Sequence, residues 1–206
     1  MSTNHSNPTV YIVDDDPAVC RSTAMMLQAH GLESRSFATA DEFVRAFEPT
    51  APGCLLLDLR MPGMTGEELL RNLRQTGVNI PVVIVTGHGD VPAAVRTMRL
   101  GLVDFLQKPV DHDMLISTVR QALAQDATRR VEEAGRRDEQ ERINRLTPRE
   151  RELMGFLAKG QTSKEIAAAL GVSVKTVDNH RAHLLSKLSA SNVAELAAIA
   201  VRAGLG

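Results

Sequence analysis

The chain has 206 residues, 43% of them hydrophobic and 24% charged, with a formal net charge of −1. That length allows one large domain or two small ones, and that balance can bury a core, which excludes disorder as the dominant state. The longest apolar stretches, CLLLDL at 54–59 and IPVVIV at 80–85, fall far below the ~20 residues a membrane-spanning helix needs, so no contact with a bilayer is expected.

In chain order, the N-terminal MSTNHSNPT lacks the basic start and apolar run of a secretory signal, and a cytoplasmic location is expected. From residue 9 to 124, short apolar runs alternate with amphipathic stretches, the pattern of a parallel sheet flanked by helices. Strands are predicted at 9–13, 33–37, 54–58, 82–86 and 103–107. The first, third and fourth are almost wholly apolar, as strands covered on both faces are, and ESRSF at 33–37 is polar enough for an edge. Helices are predicted at 17–30, 40–48, 65–76, 91–100 and 111–124, with Gly31, Pro49, Gly53, Gly77, Pro81 and Gly101 punctuating the borders. Cys20 and Cys54 are too few for a disulfide framework or a cysteine zinc site and read as reduced core thiols. Aromatic content of 3% without Trp argues against a base-stacking platform.

Residues 125–142 are predicted as a solvated helical linker, weakened at Gly135. Opposite charges stand four apart there and just beyond: Glu132 with Arg136, Glu133 with Arg137, Asp138 with Arg142, and Glu141 with Arg145. The tail, 143–206, is all-helical, opening on a capping box at Thr147, Pro148 and Glu150. Helices are predicted at 148–159, 163–170, 174–188 and 192–203, stopped by Gly160, Gly171 and Ser189 to Ser191. Charge divides with the architecture. Residues 1–125 carry net −4 and residues 146–206 net +3, so the tail alone is suited to meet a polyanion.

Two groups of residues carry chemistry. Asp14, Asp15 and Asp16 follow the first strand and Asp58 ends the third; ligands of parallel sheets bind at the carboxyl ends of strands. If those strands are neighbours, the carboxylates converge, a crowding that a hard divalent ion such as Mg²⁺ relieves. Thr86 ends the fourth strand and Lys108 lies just past the fifth, adding a hydroxyl and an ammonium, the equipment for placing a phosphoryl group on a carboxylate. The plainer reading is that the Asp run caps helix 17–30, with Asp16 before Pro17, and that Lys108 is solvated; that reading leaves the joint placement of all the groups at successive strand ends unexplained.

These residues resemble those of the receiver domains of bacterial two-component response regulators. VDDDP at 13–17, LLLDLRMPGMTG at 55–66, VTGHGD at 85–90 and DFLQKP at 104–109 match that family's motifs in order, and RMPGMTG with TGHGD is similar to its FixJ-type subgroup. The resemblance implies a CheY-like, doubly wound five-stranded sheet in the order 2-1-3-4-5. It implies Asp58 as phosphoacceptor and Mg²⁺ held by Asp15, Asp58 and the backbone carbonyl of Arg60, with Asp14 reaching the metal through water. It implies Thr86 and Lys108 as the phosphoryl-binding hydroxyl and counter-ion, a cis peptide before Pro109, and Phe105 as a switch aromatic. Plain core packing accounts for Phe105 equally well; His88 reads as a loop residue, Cys54 and Met61 as packing.

In the tail, SKEIAAALG at 163–171, a tight turn at Val172 and Ser173, and VKTVDNHRAHLLSKL at 174–188 have the spacing of a DNA-reading helix pair. Val174, Val177, Leu184, Leu185 and Leu188 form the expected buried stripe. Lys175, Thr176, Asn179, His180, Arg181 and Lys187 are left outward, and with Lys164 and Ser173 they are the candidate DNA contacts. By itself the pattern also fits a basic solvated helix. The stretch from Leu146 to Leu188 resembles a LuxR-type DNA-binding domain, through the run T-x-x-EIA-x-x-L-x-x-S-x-x-TV-x-x-H from Thr162 to His180. Asp178 departs from it, standing where many members carry Lys.

Together these imply an α/β receiver at 9–124, a helical linker at 125–142 and a four-helix helix-turn-helix domain at 143–206. The function expected is that of a non-enzymatic transcription regulator. A sensor histidine kinase phosphorylates Asp58, which changes homodimerisation and the binding of double-stranded promoter DNA and brings RNA polymerase into play. Two other classes stay open: a kinase-independent DNA-binding module with an inactive receiver, and a Mg²⁺-dependent aspartyl-phosphate enzyme. Such enzymes usually place an acid two residues after the nucleophile, where this chain has Arg60.

Overall fold

The structure, a computed structural model, describes residues 7–87, 97, 98 and 100–205. His88 and most of the helix expected at 91–100 lie outside these residues. The chain divides into two compact units, Met1–Arg130 and Val131–Gly206.

In the first unit β1 (Thr9–Val13), β2 (Glu33–Phe37), β3 (Gly53–Leu57), β4 (Val82–Thr86) and β5 (Asp104–Gln107) form one parallel sheet in the order β2-β1-β3-β4-β5. The apolar runs occupy its middle because only a strand flanked by neighbours and covered on both faces excludes water from every side chain. β3 is buried throughout, whereas β2 exposes Glu33, Arg35 and Ser36 at the edge. Alternation then divides the core in two. Tyr11, Val13, Leu55, Leu57, Val82 and Ile84 point to one face, and Val10, Ile12, Cys54, Leu56 and Val83 to the other.

The helices α1 (Pro17–Ala29), α2 (Ala40–Ala46) and α3 (Gly66–Gln75) alternate with strands, and α4 (His112–Asn144) follows the sheet. Leu69, Leu70 and Leu73 of α3 cover the first face; Leu27 of α1 and Leu115, Ile116, Val119 and Ala122 of α4 cover the second. Each such large apolar side chain contributes about 1.5–3 kcal/mol on burial. Four of the five Phe plus one Tyr are accounted for by Tyr11, Phe37, Phe43, Phe47 and Phe105 packing in the first face's cluster, which is where the sparse aromatics are spent.

α4 differs from expectation. A packed helix ending at 124 and a separate charged one were predicted, but a single helix of 33 residues passes through Gly135. One glycine costs only about 1 kcal/mol in a helix interior, and the charged stretch supplies i,i+4 support: Asp138 with Arg142 at 2.5 Å, Glu132 with Arg136 and Glu141 with Arg145 at 3.5 Å. Asp126, which looks like one more solvated charge, is buried. Its carboxylate accepts from Gly53 N at 3.0 Å, Arg129 Nη2 at 2.5 Å and Arg130 Nε at 2.6 Å, and Arg130 donates onward to Thr50 O at 2.8 Å and to Ala51 O.

The second unit packs the end of α4 with α5 (Pro148–Ala158), α6 (Ser163–Leu170), α7 (Val174–Leu188) and α8 (Val193–Arg202) around Leu153, Met154, Leu157, Ile166, Val177, Leu184, Leu188, Leu196 and Ile199. α5 and α6 open on capping boxes, Thr147 with Glu150 and Thr162 with Glu165. Among the described residues no single helix is long and apolar enough to cross a membrane.

Candidate functional site

All five strands run the same way, so the residues just past β1, β3, β4 and β5 meet at one sheet edge. The N–H of Asp58 donates to Val13 O at 2.9 Å, carrying the β1–β3 pairing one step further and setting Asp58 beside the start of the Asp run. Carboxylate oxygens of Asp14, Asp15 and Asp58 all lie within 4.8 Å of one another. Asp14 and Asp58 are buried at 4% and 7% exposure and Asp15 is exposed. Asp16 does what its place before Pro17 predicts: its Oδ1 accepts from Ala18 N at 2.7 Å and caps α1.

Lys108 is brought in from the far side. Its N–H donates to Thr86 O at 2.9 Å, extending the β4–β5 pairing, and the peptide to Pro109 is cis. Its Nζ donates to Asp14 Oδ2 at 2.5 Å and lies 3.6 Å from Asp58 Oδ2. Asp58 Oδ1 accepts from Leu59 N at 2.8 Å, so one carboxylate oxygen is anchored by the backbone and the other faces the ammonium. Burial pushes the Asp14 carboxyl above the usual range even though Lys108 and the Asp16 N–H both pull it down. Burial works to lower the Lys108 ammonium, but the Asp14 hydrogen bond and the Asp14 and Asp58 charges outweigh it and hold it above its ordinary value. The cost of the pair therefore falls on the more buried partner.

Three hard oxygen donors around one point, with a single ammonium to offset them, form a donor set of the kind that Mg²⁺ takes. Thr86 is buried at the end of β4, Arg60 is exposed two residues after Asp58, and Phe105 is half-buried against the core. One residue of the site was missed from sequence: Gly66, the first of α3. A Cβ there would stand 2.1 Å from Asp58 O and 2.9 Å from Leu59 Cα, so α3 can pass under the Asp58 backbone only on a glycine. The motif that ends in Gly66 was visible; the contact was not. Burial also pushes the Cys54 thiol up to about 12, with Asp126 adding to it, and both cysteines are free and buried, consistent with packing.

In the second unit Gly171 turns in the left-handed region at φ 65°, and Ser173 caps α7 by accepting from Thr176 N at 3.1 Å. Lys164, Lys175, Asn179 and His180 are exposed as expected, whereas Thr176 is half-buried with its Oγ1 2.8 Å from Ser173 Oγ. Lys187 is exposed but tied to Glu150 at 2.7 Å, and Arg181 is half-buried against Ser163. Of the expected buried stripe, Val177, Leu184 and Leu188 are buried and Leu185 is half-buried against the core. Val174 is 39% exposed, because it opens the helix at the turn, ahead of the first residue that packs inward, Val177.

A family model for the response regulator receiver domain matches residues 10–120, and one for bacterial regulatory proteins of the luxR family matches 144–200. The transcriptional regulatory protein FixJ of Azorhizobium caulinodans is 40% identical over 196 residues, 95% of this chain and 93% of that protein. Among solved structures, the response regulator StyR superposes with a TM-score of 0.85 at 35% identity over 96% of this chain and all of that one. Full-length FixJ from B. japonicum gives 0.59 at 37% identity, covering 98% and 99%. A strand-edge acidic pocket in one unit, a capped helix pair in the other and relatives aligned along nearly the whole length converge: the chain belongs to the two-component response regulators of the FixJ/NarL type, transcription regulators that join a CheY-like receiver to a LuxR-type DNA-binding domain.

Proposed function

We propose that Asp58 accepts a phosphoryl group from a sensor histidine kinase and that the acyl phosphate shifts homodimerisation and promoter binding. The observation that carries this reading is the convergence of Asp14, Asp15 and Asp58 within 4.8 Å, with Lys108 Nζ 2.5 Å from Asp14 and 3.6 Å from Asp58. The Asp58 carboxylate attacks phosphorus, the bond from phosphorus to the imidazole nitrogen of the kinase breaks, and that nitrogen keeps the electron pair. Asp14, Asp15, Asp58 and the carbonyl of Arg60 would hold Mg²⁺, which when bound supplies positive charge to the phosphoryl oxygens. Lys108 offsets charge on the same oxygens and the Thr86 hydroxyl donates to one of them; Phe105 follows Thr86 as a switch residue.

The product adds about −1.5 to −2 charge, which draws Lys108 and Thr86 toward it. In this reading receiver, linker and DNA-binding domain span 9–124, 125–142 and 143–206. The protein works in the cytoplasm, meets RNA polymerase at the promoter, and catalyses nothing beyond its own phosphorylation. Lys164, Ser173, Lys175, Thr176, Asn179, His180, Arg181 and Lys187 supply the contacts to DNA. The test is incubation with acetyl phosphate and Mg²⁺ followed by intact-protein mass measurement and size-exclusion chromatography. One added phosphoryl group per chain, lost in Asp58→Asn, with a shift toward dimer is expected; labelling that persists in Asp58→Asn would overturn the assignment.

A further inference from the structure

α7 carries a carboxylate on the face that turns away from the second unit's core. The Asp178 side chain is 57% exposed; its Oδ1 accepts from Ser163 Oγ at 2.7 Å and lies 3.8 Å from Arg181 Nη1, which itself donates to Ser163 Oγ. Ser163 opens α6 and Arg181 lies one turn beyond Asp178 on α7, so three side chains close a triangle across the helix pair. Arg181, 23% exposed, is the inner corner and Asp178 the outer one. Among the described residues no hydrogen bond reaches Oδ2.

A carboxylate has the wrong sign for phosphate, so nothing is gained from it at the DNA backbone. Its chemistry suits a donor on a base edge. In the major groove cytosine offers its N4 amine, guanine offers the acceptors O6 and N7, thymine the acceptor O4, and adenine an amine flanked by the acceptor N7, which repels a carboxylate. With Oδ1 anchored, Oδ2 is presented in one orientation, and little rotamer freedom remains to be lost on binding.

We propose that Asp178 is a specificity-determining residue: its carboxylate accepts from the N4 amine of a cytosine in the major groove, while Ser163 and Arg181 hold it in place and offset its charge. This rests on the reading of α7 as the DNA-reading helix. The side chain that departs from the basic pattern of its surroundings then selects a base that offers a donor, where a lysine would favour the acceptors of guanine or a phosphate.

The test uses full-length protein treated with acetyl phosphate and Mg²⁺ and a pool of random duplexes. The wild type should enrich a site with one dominant C·G pair, and changing that pair to T·A should weaken binding in fluorescence anisotropy by about tenfold. Asp178→Ala should bring that ratio close to one while leaving preferences elsewhere in the site. Asp178→Asn, isosteric and still able to accept from Ser163, should move the preference toward A. Ser163→Ala loosens the carboxylate without removing it, with Arg181 still 3.8 Å away, and should lower the cytosine preference only in part. If Asp178→Ala and Asp178→Asn both discriminate as the wild type does, or if Ser163→Ala erases the preference as fully as they do, Asp178 merely braces the two helices and the proposal falls. A wild type that enriches no sequence would instead overturn the reading of α7 itself, and the proposal with it.

Discussion

The two units use charge in opposite ways. At the receiver's sheet edge, Asp14, Asp58 and Lys108 are withdrawn from water and held by backbone N–H groups and one another. On α7, Lys175, Asn179 and His180 stand in solvent, and the ties made by Arg181 and Lys187 are to neighbouring side chains. Accepting a phosphoryl group requires a few charges at set distances where water is excluded, because that is where fixed charges act strongly. Attraction to a polyanion is summed over many exposed charges and screened by salt, so no single side chain must be placed so closely. Substitutions should therefore act nearly all-or-none in the first unit and incrementally in the second.

The largest expected effect is on Asp58. Asp58→Asn should abolish labelling by acetyl phosphate with Mg²⁺, because an amide oxygen is too weak a nucleophile; phosphate-affinity electrophoresis reads this directly. Gly66→Ala comes next. The added methyl collides with backbone at 2.1 Å, so α3 or the Asp58 turn must shift, with an expected loss of about 1–3 kcal/mol in urea unfolding of the first unit and slower phosphorylation. Unchanged unfolding would mean that the contact relaxes without cost.

Asp126 sharpens the contrast between buried and exposed pairs. Asp126→Ala removes the buried acceptor shared by Arg129, Arg130 and the Gly53 N–H and should cost roughly 3–5 kcal/mol, whereas Glu132→Ala, which removes an exposed pair, should cost about 0.5 kcal/mol or less. Equal effects would remove the distinction. For DNA, Lys175→Ala should weaken binding modestly and reduce the salt dependence by about one counterion, with phosphorylation of Asp58 untouched.

The smallest effect concerns pH. Burial favours the neutral form of Glu150, but its hydrogen bonds with Lys187 and Thr147 prevail and hold its carboxyl below the usual range. A carboxylate lowered in the folded state stabilises above its unfolded value and loses that contribution as pH falls. Glu150→Gln should therefore flatten the acid limb of the second unit's stability below about pH 4.3, by well under about 1 kcal/mol because the pair is near solvent; an unchanged slope would show that the pair contributes nothing.

Much of this was legible in the sequence because it is local. Apolar runs of five mark the covered strands, a carboxylate directly after such a run must lie at the sheet edge, and a Thr three residues before a Glu caps a helix whatever surrounds it. Asp14, Asp15, Asp58, Thr86 and Lys108 could thus be placed at strand ends, and a family resemblance supplied the strand order that brings them together. What the tertiary structure alone decided depends on partners remote in the chain. Asp126 reads as a solvated charge until Gly53, 73 residues earlier, is seen donating to it. Gly66 reads only as the end of a motif and the start of the helix predicted at 65–76 until Asp58 O occupies the space of its missing Cβ. Val174 keeps the period of the buried stripe, but periodicity says which face a residue occupies and not how far along a helix the packing reaches, and at the first turn the side chain stays 39% exposed. Periodic pattern is set by neighbours along the chain; proximity between distant residues exists only after the sheet and helices have been assembled.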